Sequence, residues 1–232
     1  MGGRHAAVVL SLAYAALAVL VGILAPSLIP IDFLEEGGPV ETVTMYLYGV
    51  AALSVALTRL ASLTPLEKVA LCLILLAFGA REGDLHIALF DVSILKASFY
   101  RHATPGQIVV ALAILLPVAL SLLLLLKRHA SRWLSTPARW QVPMVTVTTF
   151  IVLMVITKVF DRLPAVSVEL GLLEVMPAGA RHVLLALEEL LELALPLLAM
   201  LAIAQGWLLG EAAASRSGAN PPIASTGPTR GG

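Results

Sequence analysis

Three carboxylates interrupt an apolar run near the end of the chain, in a segment long enough to span a membrane. The run covers residues 183–209 and contains Glu188, Glu189 and Glu192 in the sequence EELLE. On insertion scales an acidic residue near a helix centre costs roughly 2.5 to 3.5 kcal/mol, whereas a Leu or Val returns only about 0.3 to 0.6 kcal/mol. At the helical period Glu188 and Glu192 share one stripe with Arg181, and this stripe must face protein or trapped water.

A second group of ionisable residues follows an earlier apolar helix. The helix has a strong start signal, because Thr64 and Glu67 form a predicted capping box around a proline. Its charges, in the sequence REGDLH, come before about 30 Å of membrane has been crossed. On a continuous helix Glu82 and His86 are four residues apart and reach one point.

The composition indicates a membrane protein. The chain of 232 residues is 59% hydrophobic and 13% charged with a mean hydropathy of +0.95, whereas a soluble domain carries about 25% charged residues. The net charge is zero and no basic patch is interleaved with aromatic residues, so we expect no nucleic-acid partner. The single cysteine, Cys72, excludes a disulfide framework.

The hydropathy pattern predicts an all-α, polytopic bundle of six transmembrane helices over residues 1–210. The expected spans are residues 6–28, 40–59, 66–89, 105–126, 143–161 and 181–208. Residues 90–102 are expected to form an interfacial helix, whose Lys96, Tyr100 and Arg101 act as anchors or grip a lipid phosphate. Residues 211–232, rich in Gly, Pro, Ser and Ala, are expected to be a disordered tail.

The basic loop after the fourth span sets the expected orientation. It holds Lys127, Arg128, Arg132 and Arg139, and an excess of basic residues marks the cytoplasmic side. Six spans then put both termini in the cytoplasm, with the lipid bilayer as the chain's environment. In this topology the embedded charges of four spans fall at a common level in the outer half of the bilayer.

Because these charges lie at a common level, the central prediction is that they form one shared site. The expected catalytic groups are Glu82, His86, Glu188, Glu189 and Glu192. The expected ligands of a divalent metal are Glu82, His86, Glu188 and Glu192, since carboxylate oxygen and imidazole nitrogen suit such an ion. The expected substrate-binding residues are Arg81, Asp84, Lys158, Asp161, Arg162 and Glu41. Thr44 and Tyr48 lie on the helical face of Glu41 and extend the polar lining, unless Glu41 is only an interfacial residue.

Several motifs resemble an uncharacterised family of multi-spanning bacterial inner-membrane proteins. They are EEGGPVETVT, REGDLH, SILKASFY, KVFDR and EELLE, and they extend from Glu35 to Glu192. The resemblance implies the bacterial inner (plasma) membrane and a shared polar site, and it implies no activity. The chain lacks the HExxH and EExxxR motifs of intramembrane proteases.

Three functions remain open from the sequence. The first is a membrane-embedded enzyme or binding protein that handles a lipid or lipid-linked substrate with these acid/base or metal-ligating groups. The second is a proton-coupled or ion-coupled carrier that uses the carboxylates as a relay. The third is a structural subunit whose charges form a buried ion-pair network or dock a partner protein in the membrane.

Overall fold

The computed structural model describes residues 5–28, 33–34, 37–60, 63–135, 141–171 and 176–218. Over these ranges the chain is all-helical, without strands, as the sequence predicted. Its eight helices are α1 (Ala6–Leu28), α2 (Pro39–Leu57), α3 (Pro65–Glu82), α4 (Leu85–Phe90), α5 (Ala97–His102), α6 (Pro105–Trp133), α7 (Val142–Glu169) and α8 (Ala178–Gly218).

Among the described residues, four helices are long and apolar enough to cross a membrane. They are α1 over Ala6–Leu24, α2, α6 over Pro105–Ser131, and α7. Helix α6, for example, has an exposed apolar surface, on which Leu116 and Leu123 are 58% and 61% exposed. Such continuous apolar surface is typical of helices that face lipid. The other two long helices, α3 and α8, carry the buried carboxylates.

Helix α8 lies at the centre of the bundle. It packs against α7, α1 and α2, while α3 packs on α2 and α6 packs on α3. Its buried residues Leu191, Ala194 and Leu198 meet Ala51 and Val55 of α2 in the main core. Because the most enclosed helix also carries the sequence EELLE, its acidic side chains lie inside protein.

The third predicted span is corrected by the structure. Residues 66–89 form two helices, because α3 ends at Glu82 and α4 begins at Leu85. Between them Asp84 has φ +45°, in the left-handed region that a continuous helix does not contain. Gly83 lies against Met45 of α2, where an added Cβ would be 2.3 Å from the Met45 Sδ. The chain therefore turns away from the helix axis directly after Glu82.

The remaining long helices begin near the predicted positions; α1 and α2 end at Leu28 and Leu57, close to the predicted residues 28 and 59, whereas α6, α7 and α8 end later. The fourth and fifth spans continue to Trp133 and Glu169 in place of residues 126 and 161. α8 continues to Gly218, eight residues into the segment predicted as tail, because 211–218 contains alanines and no proline. The acidic residues Asp32, Glu35 and Glu36, the basic Arg139, and the tail from residue 219 lie outside the described residues.

One end of α3 is joined to the end of α6 by a polar contact. The predicted capping box is confirmed, because Thr64 and Glu67 exchange side-chain and backbone hydrogen bonds. The buried Glu67 carboxylate also lies 3.6 Å from Arg128 Nη1 and 3.3 Å from His129 Nε2. This contact holds the start of α3 in place. It therefore also sets the position of Arg81 and Glu82 at the other end of the helix.

Two glycines allow helices to approach closely. A Cβ on Gly22 of α1 would lie 2.6 Å from the Val183 Cα of α8, and a Cβ on Gly79 of α3 would lie 3.1 Å from the Tyr48 Cβ of α2. Gly79 and Gly83 form a GxxxG pattern, which is common where membrane helices meet.

We predict that Gly22→Ala lowers the thermal unfolding midpoint in detergent, because the new methyl group meets backbone that must move. The expected loss is about 1 to 3 kcal/mol. The matched control is Gly49→Ala on α2, where an added Cβ meets nothing within 4 Å. Since alanine favours helix over glycine, the control should unfold at the same temperature or slightly higher. Equal effects of the two changes would contradict the close contact.

Candidate functional site

The candidate site is a cavity of about 430 Å³ bounded by α2, α3, α7 and α8. Four charged side chains line it: Arg81, Glu82, Lys158 and Glu192. All four belong to the set that the sequence predicted, and they come from three helices. Their convergence follows from the fold, because α8 is central and the end of α3 lies against its neighbour α2.

The carboxyl groups of Glu82 and Glu192 are the closest functional pair. Both residues are 7% exposed, and their carboxyl groups lie close enough to interact electrostatically. Two carboxylates repel each other in a buried site, and a proton held by one of them relieves the repulsion.

Each carboxyl group also has a basic partner. Lys158 Nζ lies 2.7 Å from Glu192 Oε1, and Arg81 Nη1 lies 2.9 Å from Glu82 Oε1. The side chains of Lys158 and Arg81 are 37% and 39% exposed, so their donors are not wholly used by the two acids.

Tyr48 completes the polar end of the cavity. It is 1% exposed, lines the cavity from α2, and its ring centroid lies 5.7 Å from that of Phe78. Gly79 leaves room for its Cβ, which holds the ring between α2 and α3. The phenol lies close enough to Glu82 and Glu192 to interact electrostatically with both carboxyl groups.

Most of the cavity wall is apolar, and part of it belongs to the outer surface of the bundle. Val155 and Val159 of α7 line the cavity, yet they are 56% and 53% exposed. Phe78 of the wall also packs against Phe150 of α7, with ring centroids 6.0 Å apart. The exposed valines indicate that the cavity is open to the outer surface past aliphatic side chains of α7.

Glu189 and its acidic neighbours form a second group beside the cavity. Glu189 is 8% exposed, and the acids that act on it are Glu192, Glu188, Glu41 and Glu82. Glu188 and Glu41 are half-buried, and an oxygen of Glu41 accepts a hydrogen bond from the Gly37 amide. The group of acidic side chains therefore continues from the cavity toward the start of α2.

His86 does not join the carboxylates. The break after Glu82 places it in α4, where its Nε2 lies 2.9 Å from the buried Ser93 Oγ. The predicted grouping of His86 with Glu82 is therefore corrected. Over the described ranges no group of three or more His, Cys, Asp or Glu side chains is arranged to hold a metal ion. The divalent-metal site with Glu82, His86, Glu188 and Glu192 as ligands stays a prediction.

Four predicted substrate-binding residues lie outside the cavity wall, and one of them is the half-buried Glu41. Asp84, Asp161 and Arg162 are exposed, and only Asp161 approaches the site, with its Oδ2 4.0 Å from Lys158 Nζ. Asp161 and Arg162 extend beyond the cavity because α7 continues past it. Of the predicted binding residues, Arg81 and Lys158 line the cavity.

The sequence did not identify the apolar lining. Phe78, Met154, Val155 and Leu195 contribute to the wall, but in the sequence they resemble any other residue of a spanning helix. Tyr48 was noticed only through its helical face shared with Glu41. The segment contains two tyrosines, Tyr46 and Tyr48, and only the shared face with Glu41 distinguished Tyr48.

Comparisons of the chain with protein-family models, curated proteins and solved structures give no match.

We predict that Lys158→Met destabilises the protein by about 1 to 3 kcal/mol, because it leaves the buried Glu192 without its cation. The measurement is the thermal unfolding midpoint in detergent, with the exposed Lys127→Met as the matched control. Adding Glu192→Gln to Lys158→Met removes the unpaired charge and should recover part of the loss. A Lys158→Met variant as stable as the Lys127→Met control would show that the contact contributes nothing.

Proposed function

We propose that the chain is a six-span protein of the bacterial inner membrane, with both termini in the cytoplasm. The four apolar helices support four of the spans. α3 supplies the fifth, since its 18 residues extend about 27 Å, and α8 supplies the sixth at the centre of the bundle. Lys127 and Arg128 near the end of α6 favour a cytoplasmic position for that end. The motifs that resemble bacterial inner-membrane proteins support the location.

The proposed function is acid/base chemistry, or binding, on a lipid or lipid-linked substrate in the cavity. The observation that carries this proposal is that two buried carboxyl groups, Glu82 and Glu192, each beside a basic side chain, lie in the wall of a cavity that also contains exposed aliphatic residues. A carboxyl pair that holds one proton can accept a proton through its ionised member and donate one through the other. Arg81 and Lys158 would hold an anionic group of the substrate beside the pair.

The dimensions of the cavity agree with a head group and the first part of a chain. Its volume of about 430 Å³ lies within the usual range of ligand pockets, roughly 300 to 1,000 Å³. Apolar walls with a few convergent polar groups are also typical of such pockets. A lipid would enter between α3 and α7 without leaving the bilayer, because Val155 and Val159 present apolar surface at the opening.

We predict that infrared spectra of the purified protein at neutral pH contain the carbonyl band of a protonated carboxylic acid. Glu82→Gln and Glu192→Gln should each reduce this band, because an amide donates to the remaining carboxylate and the pair no longer needs a proton. The matched control is Asp84→Asn, an exposed residue in a left-handed conformation that asparagine also adopts. A band unchanged in both glutamine variants would remove the acid/base pair from the proposal.

A second candidate function, a proton-coupled carrier, is favoured by the position of Glu189. Its carboxyl is buried beside the cavity, among the acids Glu192, Glu188 and Glu41. A row of carboxyl groups that continues from a buried pair toward a helix end is the arrangement that a proton relay requires.

The carrier predicts a proton flux in proteoliposomes under an imposed pH gradient. Glu189→Gln should abolish most of the flux, because an amide interrupts the exchange of protons between neighbouring carboxyl groups. The exposed Glu169→Gln is the control and should leave the flux unchanged. If the wild type shows no flux above protein-free liposomes, the carrier is contradicted while the lipid site is not.

A further inference from the structure

One carboxylate oxygen in the cavity wall accepts no hydrogen bond from the described residues. Glu192 is 7% exposed and lines the cavity, and its Oε1 is buried without a hydrogen-bond partner. Lys158 Nζ lies 2.7 Å from this oxygen, so the two form an ion pair, but the contact is not aligned as a hydrogen bond. A buried acceptor that lacks a hydrogen bond is unfavourable, and native proteins leave few such groups. The oxygen therefore indicates a ligand that brings a donor into the cavity.

The cavity presents charges of both signs. Two basic and two acidic side chains line it, so their formal charges sum to zero. Two more acids lie beside them: Asp161 Oδ2 is 4.0 Å from Lys158 Nζ, and the buried Glu189 interacts electrostatically with Glu192. Arg162, which follows Asp161, is exposed and does not line the cavity. A purely anionic ligand would therefore bring uncompensated negative charge, whereas a ligand with one group of each sign keeps the balance.

The basic side chains define the anionic part of the ligand. Lys158 and Arg81 carry donors only, and 37% and 39% of their side chains are exposed. Phosphate oxygens accept hydrogen bonds from such donors, and Arg and Lys are common phosphate-binding residues. Because Lys158 contacts Glu192, the phosphate and the donating group of the ligand must lie within a few atoms of each other.

We propose that the cavity binds a zwitterionic phospholipid whose head group ends in an ammonium with N–H donors, as ethanolamine does. The ammonium donates to Glu192 Oε1, and the phosphate lies against Arg81 and Lys158. The apolar part of the wall, which includes Phe78 and Leu195, receives the first part of an acyl chain. This inference rests on the proposed lipid site and names its substrate class. It makes Glu192 the residue that determines head-group specificity.

The test is equilibrium binding of lipids to the full chain in native mass spectrometry, with the protein purified in an uncharged detergent. Phosphatidylethanolamine is compared with its N-methylated series, which ends at phosphatidylcholine. All members are zwitterions, but phosphatidylcholine alone lacks an N–H. Binding should therefore fall by about tenfold or more at the last methylation, since a hydrogen bond to a charged group is lost. Binding that falls equally at each methylation, or that does not fall, would overturn the hydrogen bond to Glu192.

An anionic lipid and one variant test the selection by charge. Phosphatidylglycerol has the phosphate but no ammonium, and it should bind the wild type about tenfold more weakly than phosphatidylethanolamine. In Glu192→Gln this order should reverse, because the change removes the charge that faces the ammonium and frees Lys158 for the phosphate. A folding defect would instead weaken the binding of both lipids. The matched control, the exposed Glu169→Gln on α7, should keep the order of the wild type. An unchanged order in Glu192→Gln would overturn the role of Glu192.

Two outcomes separate the ammonium selection from the proposed function. Equal binding of phosphatidylethanolamine, phosphatidylcholine and phosphatidylglycerol to the wild type would refute the selection of an ammonium. The lipid site would still stand in that case if Arg81→Met weakened the binding of all three lipids. If none of the three binds the wild type, the lipid site and the selection are both refuted.

Discussion

The structure depends on one constraint, which is that an ionised group inside an apolar bundle must have a partner. The cost of burying an isolated carboxylate exceeds what several aliphatic contacts return. Glu192 meets this constraint through Lys158, and Glu82 meets it through Arg81. The first contact joins α7 to α8, and both pairs lie in the wall of one cavity between α3, α7 and α8. The polar centre therefore helps to decide which helices are enclosed and which face lipid.

The arrangement of the helices agrees with this division. α8 carries the most carboxylates and is surrounded by α1, α2 and α7, whereas α6 is packed mainly on α3 and exposes leucines on its remaining surface. The end of α3 also places a buried carboxylate beside a basic partner. Because the chain turns at Gly83 and Asp84, Arg81 and Glu82 lie in the last turn of the helix, where a basic side chain interacts favourably with the unpaired carbonyls.

The sequence predicted those residues of the site whose transfer from water into an apolar environment is unfavourable. Glu189 and Glu192 stand out in α8 because no lipid-facing helix tolerates them, and Arg81, Glu82 and Lys158 stand out for the same reason. The position of His86 was not predictable, since a single glycine is tolerated within helices and nothing in REGDLH requires the break. Apolar lining residues such as Met154 were not predictable either. Their hydropathy is that of lipid-facing residues, and only the packing distinguishes the two.

The choice between a structural ion-pair network and a ligand site depends on what the polar groups leave unsatisfied. A network that only stabilises the bundle would use its donors within itself and exclude space, because loose contacts around buried charges cost stability without return. Here Lys158 and Arg81 each keep more than a third of their side chains exposed, and both face a cavity large enough for a ligand. Tyr48 adds a buried hydroxyl at the same place, held by the close contact with Gly79. Basic side chains that keep part of their surface open to a cavity can bind an anion there, and the exposed Val155 and Val159 in the cavity wall favour a ligand that arrives from the membrane.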